Sequence, residues 1–404
     1  MTEYLTAGQA AARLGVKPAT LYAYVSRGVL RREKAADGRS SLFDPGDVER
    51  LARRGRRGRP AAAAITVASA VTEITGGGLR FRGLDATRLA VTRSFEEVAE
   101  LLWTGELPQA PPGSWQAAPA AVAAGRGAQA ALPAGTPPLG RLQVIVPAMA
   151  AADPLRLQLD TPAVLAAARG IVAGMVDCLP AADGRAPEPP PAAPVADRLW
   201  SRLSPRPPGP GLLRALSAAL VLLADHELAA STLAARAAAS VRADPYAVVC
   251  AGLGAVSGAL HGGASLAAET LLAAATGPAG VPRAVAELLR RGERIPGLGH
   301  LVYRSGDPRA ALLLDLVRRA APGSGQLAVA EAVLAEAARK SLPAPSADFA
   351  LAVLARVAGM VSGSGEAIFA VARTAGWIAH ALEAYAGRRP LRPRAVYTGG
   401  SAPP

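Results

Sequence analysis

The sequence predicts a mainly α-helical protein with a small basic module at its amino-terminal end. Three observations carry this. Hydrophobic residues make up 51% of the 404 positions while aromatics make up only 4%, so the apolar mass is Ala, Leu and Val, and such a composition favours helices over sheets. The 42 glycines and 35 prolines punctuate these apolar runs as helix boundaries do. The net charge of +13 is concentrated at one end, because residues 1–60 hold 13 Lys/Arg against 6 Asp/Glu, which marks a separate module.

Composition also excludes several classes. Cys178 and Cys250 are the only cysteines, too few for a disulfide framework or a thiolate zinc site, and both are expected to be buried small apolar residues. A reducing, cytoplasmic setting is therefore expected. The start lacks the basic and apolar regions of a signal peptide. The most apolar stretches carry Arg169 and Asp177, or Asp225, His226 and Glu227, so no membrane span is expected.

Thr6 is positioned to cap a short helix through Leu14. Gly15-Val16-Lys17 reads as a tight turn, and Pro18 opens a second helix through Val25. This is a helix-turn-helix pattern, whose second helix would present Lys17, Thr20, Tyr22 and Arg27 to a DNA major groove. Gly38–Phe43 reads as a hairpin arm, and Asp44-Pro45 caps a third helix. Six arginines between Arg50 and Arg59 suit a phosphate backbone. The segment resembles MerR-type and excisionase-type winged helix-turn-helix domains, which implies duplex DNA as a partner for residues 1–59. A solvated basic tail on a small helical domain is the plainer reading.

Residues 55–64 read as an interdomain linker. Residues 109–140 and 179–196, rich in Pro and Ala, read as irregular surface connections, and Thr161–Val176 as a helix. Gly252-Leu253-Gly254 follows a helical pattern with the wrong spacing for a dinucleotide loop.

The rest of the chain holds all four histidines. His226 lies within an apolar helical pattern that begins near Leu212. His261 precedes Gly262-Gly263 and a helix. His300 ends the glycine loop Gly297-Leu298-Gly299. Asp348 lies in the first turn of a helix, and Arg373 lies within another. A histidine at a helix N-terminus is kept neutral and can donate to a carbonyl. Asp348 could take a carbon-bound proton. Arg309, Arg373 and Arg392 suit bidentate carboxylate binding. Together these parts describe enolisation beside a carbonyl and condensation onto a polycarboxylate. Taken singly, Asp348 is a helix-start acid, Arg309 and Arg373 are surface ion pairs, and His380 is structural.

The segments Ala224-Asp225-His226-Glu227-Leu228, Leu260-His261-Gly262-Gly263, Gly297–His300 with Asp307-Pro308-Arg309, Asp348-Phe349, and Arg373–His380 resemble the citrate synthase family in order and spacing. So do Ile74–Gly83 and Ser94–Leu102. The resemblance implies a two-domain all-helical fold, with a large domain from 65–262 and 359–404 and a small one from 263–358, behind the helix-turn-helix domain at 1–54. It implies a homodimer with shared active sites, and no metal or cofactor. Asp348 would be the base and His261 the enolate partner. His300 would act on the oxaloacetate carbonyl. His226, His300, Arg309, Arg373 and the other subunit's Arg392 would hold oxaloacetate, and Arg304 would meet coenzyme A (CoA). Ala229, Ala259, Leu301 and Ala347 depart from the family pattern. The expected activity is therefore citrate synthase, with 2-methylcitrate synthase or a DNA-binding metabolite sensor as alternatives; one methylene in a pocket is worth only about 1–3 kcal/mol.

Overall fold

A computed structural model describes residues 4–14, 16, 18–26, 30–35, 41–48, 51, 66–75, 77–182, 189–387 and 390–395. Lys17, Arg27, the arginines from Arg50 to Arg59 and the linker at 55–64 lie outside the described residues. The chain divides into two compact units, Met1–Ala68 and Ser69–Pro404.

In the first unit, α1 (Ala7–Leu14) and α2 (Pro18–Ser26) are the two helices read from the sequence. Thr6 caps α1 reciprocally: Gln9 N–H donates to the Thr6 hydroxyl and Thr6 N–H donates to the Gln9 side chain. The arm is strand β3 (Ser41–Phe43), antiparallel to β2 (Glu33–Lys34). It also pairs with β1 (Leu5–Thr6), which closes a three-stranded sheet in the order β1-β3-β2. Residues 45–48 are helical behind an Asp44 cap. Ala10, Leu21, Leu30, Phe43 and Val48 form the unit's own buried core. Thr20 and Tyr22 are exposed on α2.

The second unit opens with the meander β4 (Thr72–Thr75), β5 (Gly78–Phe81) and β6 (Leu84–Asp85). Helices follow: α3 (Ala86–Thr92), α4 (Phe95–Thr104), α5 (Pro119–Ala130), α6 (Pro138–Ala151), α7 (Thr161–Asp177), α8 (Val195–Leu203), α9 (Pro210–Leu222), α10 (Ala230–Ser240) and α11 (Pro245–Val256). Then come α12 (Gly263–Ala274), α13 (Val281–Arg290), α14 (Pro308–Ala320), α15 (Gly325–Arg339), α16 (Ala347–Ala358) and α17 (Ser364–Ala386). Asp85, Ser94, Asp160, Asp244, Asp307 and Ser324 each accept a backbone N–H at a helix start, worth about 1 kcal/mol apiece.

Three expectations are corrected. Residues 109–140 are not all irregular, since they contain α5 and the start of α6; both helices begin with proline, which is tolerated where its missing N–H has no intrahelical partner. His226 is not within a helix, because α9 ends at Leu222 and the histidine sits in the turn before α10. Cys178 is buried, but Cys250 is only partly so.

The long helix α17 is the axis of the second unit and packs against α4, α6, α7, α9, α10, α11, α12 and α16. Trp377 on α17 is fully buried. A Cβ on Gly252 would lie 2.5 Å from the Trp377 ring, so this glycine serves helix contact, not phosphate binding. Gly252→Ala should destabilise the fold by about 1–3 kcal/mol through overpacking. Gly127→Ala, in open space on α5, should be neutral or stabilise by about 0.5–1 kcal/mol. Denaturant titration of both variants checks the contrast, and equal midpoints would refute it.

Candidate active site

Strand β4, the loops and helix starts around 226–230, 260–264, 297–309 and 346–348, and the body of α17 line a cavity of about 520 Å³ in the second unit. His226, His261, His300, Arg309, Asp348 and Arg373 all line it, with Ile74 and Phe369. Residues as far apart in the chain as Ile74 and Arg373 therefore share one pocket.

The loop before α14 and the loop before α16 are joined. Gly299 N–H donates to Ala344 O at 2.8 Å, and Ser346 N–H donates to Gly297 O at 2.8 Å. Gly297 has φ of +74°, and a Cβ there would press on the Phe349 backbone at 2.9 Å, so only glycine fits. Asp307 strengthens the same junction. It caps α14, binds Arg309 through both oxygens at 3.0 and 2.8 Å, and accepts the Ala347 N–H at 3.1 Å. Arg309 and Asp348 are thus positioned by one buried carboxylate. The Arg309 guanidinium holds the Asp307 carboxyl below the usual range against the cost of burial.

The three cavity histidines are each held toward the neutral form. Burial first, then Arg309 and Arg373, drive His226 far below its usual value. Its Nε2 meets the Tyr303 hydroxyl at 3.1 Å, and its ring stands edge-on to His300 with centroids 5.2 Å apart. Burial and then Arg373 push His261 down to about 4; burial outranks the helix-end argument made from the sequence. His261 Nε2 lies 2.8 Å from the Ser231 hydroxyl, and its ring meets Phe369 edge-on at 5.4 Å. His300 is also lowered, by burial and then Arg309. Its Nδ1 accepts the N–H groups of Val302 and Tyr303 at 3.1 and 3.3 Å. These two donors at Nδ1 place the proton of the neutral ring on Nε2, which also lies 3.4 Å from Arg309 Nη2.

Asp348 is the second residue of α16. Burial pushes its carboxyl above the usual range, partly opposed by Arg309 and by the Ser346 hydroxyl at 3.3 Å. Arg373 is 1% exposed. It stacks on Phe369 at 4.5 Å, and Nε donates to Leu223 O at 2.8 Å. It makes no ion pair among the described residues. Burial lowers it only to about 10, so it is a cation at neutral pH, and a bound carboxylate would complete it.

Two residues singled out from the sequence are elsewhere. Arg304 is exposed and outside the cavity lining, and Arg392 is exposed on the carboxyl-terminal segment. Ser231, Tyr303, Asp307, Phe369 and Ile74 were not assigned roles from the sequence. Only Asp307, two residues before Arg309 at a helix start, carried a local signal. Among the described residues no cluster of His, Cys, Asp or Glu is arranged to hold a metal ion, and no helix is long and apolar enough to cross a membrane.

A family model described as "Citrate synthase, C-terminal domain" matches residues 61–394. The chain belongs to the citrate synthase family. A second model, "Helix-turn-helix domain", matches residues 4–56. Within the family, the chain is 33% identical to the citrate synthase of Haloferax volcanii over 344 residues, covering 80% of this chain and 90% of that protein. It is 30% identical over 334 residues to the 2-methylcitrate synthase of Mycobacterium tuberculosis, covering 80% and 84%. The match to citrate synthase 2 of Bacillus subtilis, at 34% identity, spans only 64% of that protein. Among solved structures, the citrate synthase of Pyrobaculum aerophilum superposes with a TM-score of 0.69 at 26% identity over 92% of this chain and 95% of that one. The Thermoplasma acidophilum citrate synthase, in a ternary complex with carboxymethyl coenzyme A and oxaloacetate, superposes with a TM-score of 0.70 at 25% identity over 84% of this chain and 95% of that one.

Proposed function

We propose that this family member condenses acetyl-CoA with oxaloacetate and water, giving citrate and CoA. The observation that carries this reading is the convergence of one raised carboxyl, three neutral imidazoles and two buried guanidinium groups on one cavity. Asp348 takes a proton from the acyl methyl group. Ser231 donates to His261 Nε2, which leaves His261 Nδ1–H to bind the developing enolate oxygen. The enol carbon attacks the oxaloacetate ketone, whose oxygen receives a hydrogen bond from His300 Nε2–H. Arg309 and Arg373 bind the oxaloacetate carboxylates, with His226 beside them. Water then cleaves the thioester and releases the thiol. No metal or further cofactor is required.

In this reading Arg304 meets a CoA phosphate, and Arg392 crosses to the other subunit of a homodimer. A large domain (65–262 and 359–404) and a small domain (263–358) close over the substrates and exclude water. The setting is the cytoplasm. Propionyl-CoA, giving 2-methylcitrate, is the second reading, supported by the mycobacterial relative. Residues 1–59 would bind duplex DNA, a reading supported by the helix-turn-helix match and the exposed Thr20 and Tyr22.

The test is thiol release from acetyl-CoA and propionyl-CoA, each with and without oxaloacetate. Oxaloacetate-dependent release is expected, and the faster donor names the product. A folded protein that binds oxaloacetate but releases no thiol would be a sensor instead. Absence of duplex binding even at low salt, where nonspecific contacts are strongest, would remove the DNA reading.

A further inference from the structure

Helix α17 holds the turn that carries His226 at three places on one face. Arg373 Nε donates to Leu223 O at 2.8 Å, Gly376 N–H donates to Ala224 O at 2.9 Å, and His380 Nε2 lies 3.4 Å from Asp225 Oδ2. Arg373 faces the cavity, whereas His380 is fully buried and does not line it.

The chain of contacts continues behind His380. Arg236 on α10 lies with Nη1 2.8 Å from His380 Nδ1, and the same nitrogen pairs with Glu383 at 2.6 Å. The other Glu383 oxygen accepts the Ala70 N–H at 2.8 Å, just before β4. A guanidinium can only donate, so His380 Nδ1 must accept. With Nδ1 accepting, the ring N–H is on Nε2 and is directed at Asp225. Asp225, also fully buried, accepts the Glu227 N–H through the same Oδ2 at 3.1 Å.

Glu227 has φ of +50°, a conformation that non-glycine residues adopt only when their surroundings impose it. Asp225 and Glu227 flank His226, so the carboxylate that receives the His380 proton also sets the turn on which His226 stands. A buried carboxylate with one of its bonds removed would reorient or take up water. The turn would then lose the geometry that sets His226 against Tyr303 and His300.

We propose that His380 is a positioning residue: by donating to Asp225 it fixes the Asp225–Glu227 turn and holds His226 in register for oxaloacetate. This rests on the condensation reading above. Its action is on the oxaloacetate side of the cavity, so it predicts a selective effect on one substrate.

The experiment uses the full-length chain. His380→Leu removes both bonds at similar volume. His380→Gln can keep both, with its amide oxygen accepting from Arg236 and its amide nitrogen donating to Asp225. H380L is expected to raise the oxaloacetate KM by about tenfold or more, with the acyl-CoA KM changed by no more than about twofold. H380Q is expected to stay within about threefold of wild type for both. An unchanged oxaloacetate KM in H380L overturns the proposal, as does an H380Q protein as impaired as H380L. If H380L does not fold, His380→Asn replaces it; its shorter amide cannot reach both partners, so the same rise is expected and an unchanged KM overturns the proposal. Wild-type thiol release is the control. If wild type releases none, the condensation reading fails, and calorimetric oxaloacetate binding then decides: weakening by about tenfold in H380L with retention in H380Q supports the role of His380, and equal affinities overturn it.

Discussion

Asp348→Ala is expected to lower kcat by about a thousand-fold while leaving the fold and oxaloacetate binding in place. The side chain begins α16 as its second residue, and the cap of that helix does not depend on it. The oxaloacetate ligands assigned above, His226, His300, Arg309 and Arg373, are untouched. Losing the base should therefore appear in kcat and in kcat/KM for the acyl-CoA, measured by thiol release. A D348A protein within about tenfold of wild type would exclude Asp348 as the base. The same residue sets the acid side of the pH profile. Burial raises its folded pKa, and the base works only when deprotonated, so activity should fall on acidification at a pH above the ordinary aspartate range. The sign for stability is the reverse. A carboxyl whose folded pKa is raised weakens the fold at neutral pH, and this penalty disappears below its unfolded value. Asp348→Asn should accordingly be at least as stable as wild type at neutral pH while inactive, and a large loss of stability would contradict this account.

His261→Ala is expected to lower turnover by about a hundred- to a thousand-fold, the usual cost of removing one donor to a developing oxyanion. His261 contacts Ser231 and Phe369 and belongs to no ion pair among the described residues. Its loss should leave the oxaloacetate KM near wild type, in contrast to the effect expected for His380→Leu. Steady-state kinetics with both substrates varied separate the two. A normal rate in H261A would mean that another group carries the enolate charge.

Much of the site was legible because its parts are local words in the chain. A histidine between glycines, an acid at a helix start and Asp307-Pro308-Arg309 can each be seen within a few residues. The motifs contain His226, His261, His300, Arg309, Asp348 and Arg373, and all six line one cavity. Residues whose roles depend on distant partners were not visible this way. Ser231 acquires its function only because α10 brings it 2.8 Å from His261. Ile74 becomes a cavity wall only because the β-meander packs there. His380 reads as an ordinary helical residue until Arg236 and Asp225 are found on either side of it. The two helices starting within 109–140 were missed for a different reason. Alanine-rich segments interrupted by proline match both a helix start and an irregular connection, and tertiary packing decides between them.

The sequence by itself determined the helical class, the basic leading module, and the identity of the acid, the imidazoles and the guanidinium groups available for chemistry. These follow from composition, periodicity and short motifs, which are properties of neighbours along the chain. Only the tertiary structure decided which nitrogen of each histidine has a partner, which arginine is left without a carboxylate, and how burial moves Asp348 and the three cavity histidines toward their uncharged forms. Those properties depend on desolvation and on charges a few ångströms away in space, brought together from positions far apart in the chain.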